Sequence, residues 1–388
     1  MKSILFRTAT IPVSLNVLLK GQLQFLNEYY DVTAISGKDE FLVELKEREK
    51  VRVFGIEMQR QIAPIKDLKS LWRLYRYFKK QKPLIVHSIT PKAGLLTMIA
   101  GKMAGVPIRI HTFTGLIFPS RKGFMQVLLI NMDKLLCYCA TDVYPEGKGV
   151  RNDLINYKIT NKPLEVIGNG NVNGIDENYF DPKLYNLDEK NELRKKLGIF
   201  EDDFVFIFVG RLVRDKGINE LIVAFLRFQS VRKNVKLLLV GPFENDLDPL
   251  NIETIKVIKE CNTIITVGFQ QDVRPYFAIS DVLVFPSHRE GFPNVVLQAG
   301  AMGLPCIVTN INGSNEIIIE EENGIIIPVK DEIAIFNAMT KISTDKDYYS
   351  VLETNARSMI TSRYEQKIVW NAILAQYKSL EKKCIKLF

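Results

Sequence analysis

Histidine is scarce in this sequence of 388 residues. It has three, His87, His111 and His288, which stand far apart and do not form HExxH or another metal-ligand spacing. The five cysteines form no CxxC pair, and their odd number argues against a disulfide framework. We therefore expect no structural zinc or other metal site, and a chain that resides in a reduced compartment.

Long apolar runs are also missing. The longest, 93–101 and 125–132, are broken by Lys102 and Asp133, and they fall well short of the roughly 20 residues that cross a bilayer. Arg7 interrupts the apolar N-terminal segment, which favours a first buried strand over a secretory signal. The sequence therefore predicts a cytoplasmic chain that does not span a membrane.

Acidic residues are few in the first part of the chain. Lys and Arg outnumber Asp and Glu 26 to 14 over residues 1–165, whereas the remainder runs 26 to 30. Most of the excess lies between Arg52 and Lys122, where fourteen basic residues face only Glu57 and Asp67. This imbalance predicts an anionic partner, and a membrane surface, a polyphosphate and a nucleic acid all remain possible.

The residues that are present fit a globular α/β protein. Hydrophobic residues make up 47% and charged residues 25%, and the length suggests two domains. Short apolar runs alternate with helix-period segments, a pattern typical of doubly wound parallel sheets. The first series of predicted strands is Ser3–Phe6, Val32–Ser36, Leu84–Ser88 and Ile108–Thr112. The second is Phe204–Val209, Val235–Val240, Thr263–Val267, Val282–Phe285, Cys306–Val308 and Gly324–Ile327.

Breaker residues place a hinge between the two series. Gly168, Gly170, Gly174 and Pro182 stand there among Asn and Asp. We expect two Rossmann-like doubly wound units that face a cleft, because such sheets bind ligands at the carboxyl ends of their strands. The expected parts are an N-terminal domain 1–168, a linker 169–190, a C-terminal domain 191–362, and a C-terminal helix 363–388 that packs back on the N-terminal domain.

A basic loop follows the first strand of the second series. In GRLVRDKGI, Gly210, Arg211 and Lys216 precede a helix that we expect to begin near Gly217. A guanidinium can fork onto a phosphate and an ammonium adds a point charge beside it, which suits a diphosphate. A solvated basic loop is the alternative interpretation of this motif alone.

A second loop follows the strand Val282–Phe285, in the segment VLVFPSHREGFPNVVLQAGAMGLP. We place Pro293 at the first helical position, which leaves the amides after it free to bind an anion. Those amides belong to Asn294, Val295 and Val296. Glu290, just before this helix, can accept hydrogen bonds from sugar hydroxyls. A simple helix cap is the alternative.

Together these two loops resemble the family 4 glycosyltransferases of the GT-B fold. The segments KSILFRTATIPVSLNVLLKGQLQFL, VPIRIHTFTGLIF and VIGNGNVNGIDENYF resemble their bacterial capsular and lipid-linked oligosaccharide branch. The resemblance implies that Arg211 and Lys216 bind the donor diphosphate and that Glu290 positions the donor sugar. The remaining implied donor contacts are Gly210, Gly291, Phe292, Pro293, Asn294, Val295 and Gln298.

Two positions depart from the family pattern. Gln298 stands where a second Glu commonly contacts the ribose, which puts donor affinity in question because neutral hydrogen bonds are weaker than charged ones. Thr114, before Gly115, stands where the branch often has His. We expect Thr114, Gly115 and Ser14 on the acceptor side, in loops at 12–16 and 115–123. His111 is interpreted as a core residue.

The resemblance also implies a mechanism. Retaining members are thought to use front-face substitution, in which the donor phosphate takes the acceptor proton, so neither a metal nor another cofactor is expected. The implied reaction transfers a sugar, UDP-linked hexose or N-acetylhexosamine, to a lipid-diphosphate-linked saccharide for capsule, exopolysaccharide or O-antigen. The alternatives left open are a non-catalytic nucleotide-sugar binder and a nucleotide-sugar epimerase of the same fold.

The segment KDLKSLWRLYRYFKK, residues 66–80, has basic residues at helical spacing beside apolar and aromatic ones. An ordinary sheet-covering helix explains this pattern, but the regional charge and the family's lipid-borne acceptors favour a helix on anionic lipid at the inner face of the cell membrane. No nucleic-acid-binding signature accompanies the charge, so we expect no nucleic acid partner. The predicted membrane contacts are Lys69, Trp72, Arg73, Arg76 and Lys80.

Overall fold

The computed structural model describes residues 2–58, 63–244, 246 and 248–385. The chain forms two compact units, one made of Met1–Gly174 with Gln366–Phe388 and the other of Ile175–Glu365. The first six residues of the predicted linker therefore belong to the first unit, and 175–190 belong to the second.

Within the described residues, the first unit contains a six-stranded sheet in the order β3-β2-β1-β4-β5-β6. Every neighbouring pair is parallel. The strands are β1 (Ile4–Thr8), β2 (Asp31–Ser36), β3 (Arg52–Gly55), β4 (Ile85–Ser88), β5 (Ile108–Phe113) and β6 (Asp142–Pro145). The four predicted strands are confirmed within two residues. The two that were not predicted, β3 and β6, are the short edge strands, which lack a continuous apolar run.

Helices cover both faces of this sheet because each buried strand points alternate side chains to opposite sides. The helices are α1 (Pro12–Leu18), α2 (Gln22–Asn27), α3 (Glu40–Glu49), α4 (Pro64–Gln81), α5 (Pro91–Ala104), α6 (Gly123–Cys139) and α7 (Lys148–Asn156). On one face α4, α5 and α6 share a core with Phe6 and Val86. On the other, the C-terminal helix Gln366–Ile385 buries Ile373 and Tyr377 with Leu5.

The second unit has the same design. Its six described strands are parallel, in the order β12-β11-β10-β7-β8-β9. They are β7 (Phe204–Val209), β8 (Val235–Val240), β9 (Ile264–Gly268), β10 (Val282–Phe285), β11 (Cys306–Thr309) and β12 (Gly324–Ile327). All six predicted strands are confirmed within one residue. Apart from the edge strand β9, in which only Ile264 is buried, they are apolar at nearly every position and mostly buried on both faces.

The helices of the second unit complete two layers around this sheet. They are α8 (Leu187–Lys196), α9 (Ile218–Val231), α10 (Ile252–Glu260), α11 (Arg274–Ala278), α12 (Asn294–Ala301), α13 (Ser314–Ile317), α14 (Glu332–Thr344) and α15 (Lys346–Tyr364). The C-terminal helix of the first unit is α16. Residues 386–388 of the predicted C-terminal helix lie outside the described residues.

Two further expectations concern cysteines and membrane spans. All five cysteines lie in the described part of the chain, and all are free. Among the described helices, none combines the length and the apolar character that crossing a bilayer requires.

Candidate donor site

The loop after β7 has the predicted form. Gly210 and Arg211 follow the strand directly, a 3-10 turn spans Arg214–Lys216, and α9 begins at Ile218. The amide of Gly210 donates to Val240 O at 2.9 Å, which ties this loop to the end of the neighbouring strand β8. The basic residues therefore stand at the carboxyl edge of the sheet, where parallel sheets bind ligands.

The loop after β10 ends one residue later than predicted. Pro293 is the N-cap of α12, with an extended backbone, and the helix begins at Asn294. The placement of Pro293 at the first helical position was therefore wrong by one residue. The amide of Val296 was also not free, because it donates to Pro293 O at 3.1 Å. The first turn of α12 faces the same carboxyl edge as Lys216.

Lys216 and Glu290 meet across these two loops. The ammonium pairs with Glu290 Oε1, and both side chains are mostly buried, at 19% and 17% exposed. Ser287 Oγ donates to the same carboxylate oxygen at 2.9 Å. The ammonium also lies 5.1 Å from the centroid of the Phe285 ring. These contacts hold the carboxylate in one orientation.

Arg211 has a different partner. Its guanidinium pairs with Glu244, in the loop after β8, and its side chain is 55% exposed. The structure therefore brings Lys216 and Glu290 together and leaves Arg211 at the rim of the same edge. An exposed guanidinium of this kind exchanges partners at little cost, since surface ion pairs contribute about 0–1 kcal/mol.

Sequence reasoning missed Asp215, which joins the two loops. Arg289 Nε donates to its carboxylate at 2.8 Å, and the amide of His288 donates to its carbonyl at 2.8 Å. The amide of Asp215 in turn donates to Asp248 Oδ2 at 2.6 Å. The acidic residue inside an otherwise basic motif was the available signal.

His288 and Glu220 form a second connection that the sequence did not reveal. His288 Nε2 lies 3.1 Å from Glu220 Oε1. Burial raises the pKa of Glu220. The hydrogen bond from His288, a backbone hydrogen bond and nearby positive charges together lower it by more, so the pKa lies below its ordinary value. The pair fixes α9 to the loop after β10.

Two glycines allow the loops to pack backbone against backbone. Gly217 has φ +70°, and a Cβ there would lie 2.1 Å from Pro286 O. Gly313 has φ +74°, and its Cβ would lie 2.5 Å from Gly291 O and 2.6 Å from Phe292 Cα. Since both positions need a left-handed backbone and tolerate no side chain, they set the path of the donor loops.

Other predicted donor residues lie in the loop after β10 and in α12. Phe292 is buried, and its ring packs on Tyr364 at 5.6 Å between centroids, so it can offer a ligand only its main chain. Gln298 is half-buried on α12, four residues after Asn294 and hence on the same side of the helix. Its assignment to the ribose stays a prediction, as do the roles of all residues in this site.

The predicted acceptor residues lie in the first unit. Ser14 is on α1, so the expected loop at 12–16 was wrong, and Pro12 begins that helix at its favoured first position. Thr114 Oγ1 donates to Ile89 O at 2.9 Å, and Gly115 adopts φ +130° directly after it.

His111 is a core residue, as predicted. It is buried on β5, where its Nδ1 lies 2.7 Å from Ser88 Oγ and its ring meets Phe113 edge-on at 4.5 Å. Burial lowers its pKa to about 3, so the imidazole is neutral in the folded protein near neutral pH.

The apolar side chains of α4, the predicted membrane helix, are partly buried and partly exposed. Phe78 is buried and Tyr75 packs against the core, while Trp72 stays 55% exposed. The ring of Trp72 lies 5.2 Å from that of Tyr75. The basic residues predicted to contact lipid are all exposed on this helix: Lys69, Arg73, Arg76 and Lys80.

Comparison with known proteins shows that this chain is similar to glycosyltransferases. The family model described as "Glycosyl transferases group 1" matches residues 189–359, and "Glycosyl transferase 4-like" matches residues 12–145. The chain is 32% identical over 380 residues to the Staphylococcus aureus capsular polysaccharide biosynthesis glycosyltransferase CapM, covering 97% of each chain.

A second relative and a solved structure are also similar to this chain. An Escherichia coli UDP-Gal:alpha-D-GlcNAc-diphosphoundecaprenol alpha-1,3-galactosyltransferase is 32% identical over 350 residues, covering 87% of this chain and 86% of that protein. The crystal structure of Anabaena HepE in complex with UDP matches with a TM-score of 0.81 at 18% identity, covering 98% of this chain and 100% of that one. The last similarity concerns the fold alone.

The two parallel six-stranded sheets with helices on their faces have the GT-B fold. More particularly, the chain belongs to the family 4 group of glycosyltransferases, as the sequence resemblance predicted.

Proposed function

We propose that this glycosyltransferase transfers a sugar, with retention of configuration, from a UDP-linked donor to a lipid-diphosphate-linked saccharide during synthesis of a capsule or related polysaccharide. The observation that carries the proposal is the Lys216–Glu290 pair, held by Ser287 beside the first turn of α12. This arrangement places a cation, a carboxylate and a helix N-terminus within reach of one ligand.

A donor diphosphate accounts for this arrangement. When it binds, Lys216 would turn from Glu290 to phosphate oxygens, and the released carboxylate would accept hydrogen bonds from sugar hydroxyls. The exposed guanidinium of Arg211, which pairs with Glu244, would bind the diphosphate through two of its N–H groups. The E. coli relative named for UDP-Gal and the UDP complex of HepE support uridine as the nucleoside of the donor.

Retention follows from front-face chemistry in this proposal. The acceptor oxygen attacks the anomeric carbon on the side from which UDP departs, and its proton passes to the leaving phosphate oxygen. The growing negative charge on UDP is stabilised by Lys216, Arg211 and the first turn of α12, which is electrostatic stabilisation of the leaving group. Two cationic side chains at this position supply what a divalent metal supplies elsewhere, so we propose turnover without one.

The acceptor is proposed from the relatives and from charge. The E. coli relative is named for a diphosphoundecaprenol-linked sugar, and the S. aureus relative for capsular polysaccharide. In this chain, α4 presents exposed Arg73, Arg76 and Lys80 beside exposed Trp72. A basic and aromatic helix face suits an anionic bilayer surface, where each basic residue contributes about 1 kcal/mol.

The donor half of the proposal is tested by thermal unfolding with a panel of nucleotide sugars, each with and without EDTA. One UDP-sugar should raise the melting temperature, because a ligand at 100 times its Kd adds about 2.7 kcal/mol to the free energy of unfolding. The same compound should be turned over in EDTA. Stabilisation by no UDP-sugar, or turnover that requires added Mg²⁺, would refute this half.

The membrane half is tested by vesicle flotation of a variant with Arg73→Glu, Arg76→Glu and Lys80→Glu. Binding to anionic vesicles should be lost, while hydrolysis of the donor persists, because the donor loops belong to the second unit. The matched control reverses three exposed lysines of the second unit, Lys195, Lys196 and Lys233. Equal flotation of wild type and of the α4 variant would show that α4 does not contact the membrane.

A further inference from the structure

Helix α6 exposes an apolar stripe along its whole length. It has 17 residues, of which Leu136, Cys137 and Cys139 are buried. Phe124 is 80% exposed and Tyr138 71% exposed, which is unusual for aromatic side chains in a globular protein. At three- and four-residue steps, the stripe comprises Phe124, Val127, Leu128, Asn131, Leu135 and Tyr138.

Among the charged residues of α6, exposed Lys134 lies at the border of the stripe, three residues after Asn131 and four before Tyr138. The side-chain amide of Asn131 donates to Val127 O at 2.8 Å, so one of its two N–H donors is already used within the helix. Asp133 is nine residues from Phe124, which places it about 180° away around the helix. Burial also raises the pKa of Asp133 to about 7. The stripe itself therefore carries no acidic group.

Basic residues border the stripe. Between Asp67 and Asp133 the sequence has eleven Lys and Arg and no Asp or Glu. Arg121 and Lys122 are exposed directly before α6, and Lys102 Nζ lies 3.5 Å from the centroid of the Tyr138 ring. An apolar surface with a positively charged rim is complementary to a partner that has apolar atoms beneath anionic groups.

An anionic bilayer has that chemistry, with headgroups above and acyl chains below. A second copy of this chain fits less well. A symmetric dimer on the stripe would place the same basic rim against itself, because a two-fold interface pairs one surface patch with its own copy. The stripe is also on the side of the sheet that α4 covers, since α4, α5 and α6 share one core.

We propose that α6 lies in the interface of an anionic bilayer and inserts Phe124, Val127 and Leu135 among the lipid chains. This inference rests on the proposed function in that the acceptor is carried by a lipid. The contribution of α6 to membrane binding differs from that of α4. Attraction through α4 is electrostatic and is screened by salt, whereas insertion of apolar side chains persists at high salt.

The experiment compares wild type with a variant carrying Phe124→Ser, Val127→Ser and Leu135→Ser. Partition onto vesicles of phosphatidylglycerol and phosphatidylcholine is measured at low and at about 0.5 M salt, where the Debye length is only a few ångströms. The control variant replaces three apolar residues of the second unit that are similarly exposed, Phe200, Ile252 and Phe269, with Ser. All these side chains are exposed, and the melting temperature verifies that each variant folds.

Wild type should retain a salt-resistant fraction of binding, and the α6 variant should lose it, with partition lowered about a hundredfold at high salt. The control variant should match wild type. Equal salt-resistant binding by wild type and the α6 variant would overturn the inference. So would a wild-type dimer in size-exclusion chromatography that the α6 variant lacks, because the stripe would then bind a second copy.

Failure of the proposed function has a different signature. If wild type bound no vesicles at either salt concentration, both the proposed lipid-borne acceptor and this role of α6 would be contradicted. If wild type bound but the α6 variant bound equally, the proposed acceptor would stand and this role of α6 would fall.

Discussion

Lys216 and Glu290, 74 residues apart in the chain, form an ion pair across the loops that follow β7 and β10. Their pairing is possible because β7 and β10 are neighbours in a parallel sheet, so their following loops lie at the same edge. The buried hydroxyl of Ser287 donates to the same carboxylate oxygen of Glu290. This relationship gives the donor-site proposal its most specific tests.

The first test is Lys216→Met. We expect turnover to fall about a hundredfold or more, because the ammonium no longer meets the charge that develops on the leaving diphosphate. Lys341→Met is the matched control, since Lys341 pairs with Glu321 on the surface of the same unit. Steady-state kinetics and melting temperature are measured for both. A Lys216→Met enzyme that keeps the wild-type rate would exclude this lysine from catalysis.

A second test concerns Gln298. If it contacts the ribose, Gln298→Glu should be tolerated or should lower the Kd for the UDP-sugar, because a carboxylate makes stronger hydrogen bonds with hydroxyls than an amide does. Glu290→Gln should instead lose most activity while folding normally. Calorimetric titration measures donor binding by Gln298→Glu, and steady-state kinetics measures the activity of Glu290→Gln. A folded Gln298→Glu protein without donor binding would remove this residue from the ribose.

Gly313 offers a test of the loop geometry. In Gly313→Ala the new Cβ would collide with Gly291 O and Phe292 Cα, which must move the donor loop. Gly303→Ala is the control, since Gly303 also has a positive φ but nothing within 4 Å of the added Cβ. Both should lose about 1 kcal/mol or more of stability, and only Gly313→Ala should also weaken donor binding at least tenfold. Equal donor affinity of the two variants would contradict this description of the loop.

The lowered pKa of His111 predicts how the stability of the first unit depends on pH. Its pKa is lowered to about 3 by burial, from an ordinary value near 6.5, so the unfolded chain binds a proton that the folded chain does not. This histidine therefore stabilises the fold above pH 6.5, and the contribution is lost as the pH falls toward 3. Between pH 6.5 and 5 the loss approaches about 1.4 kcal/mol per pH unit.

The measurement for His111 is denaturant unfolding at pH 6.5, 6.0, 5.5 and 5.0 for wild type and His111→Gln. Gln can still hydrogen bond to Ser88 but does not titrate, so the variant should show the shallower pH dependence. Parallel curves for the two proteins would mean that His111 is protonated in the fold.

The sequence predicted the central strands because their apolar runs are nearly continuous, as in Val282–Phe285. It missed Arg52–Gly55 and Asp142–Pro145, because an edge strand can be short, charged at its ends and partly exposed. The loop expected at 12–16 is a helix, since Pro12 favours the first helical position as readily as it favours a turn.

For the donor site, the motif spacing predicted which loops come together but not which side chains pair. Arg211 and Lys216 are equivalent cations in the sequence, and only the fold shows Lys216 against Glu290 and Arg211 against Glu244. Asp215 was missed because its contacts with Arg289 and Asp248 join three loops that are distant in the chain.

We propose a metal-independent transfer, with retention of configuration, to a lipid-borne acceptor. The most direct measurement is NMR of the anomeric proton in the product formed from a stabilising UDP-α-sugar and a polyprenyl-diphosphate-linked saccharide, in anionic vesicles with EDTA. We expect an α-linked product whose formation requires Lys216 and Glu290. A β-linked product, or no product from any nucleotide sugar with this class of acceptor, would contradict it.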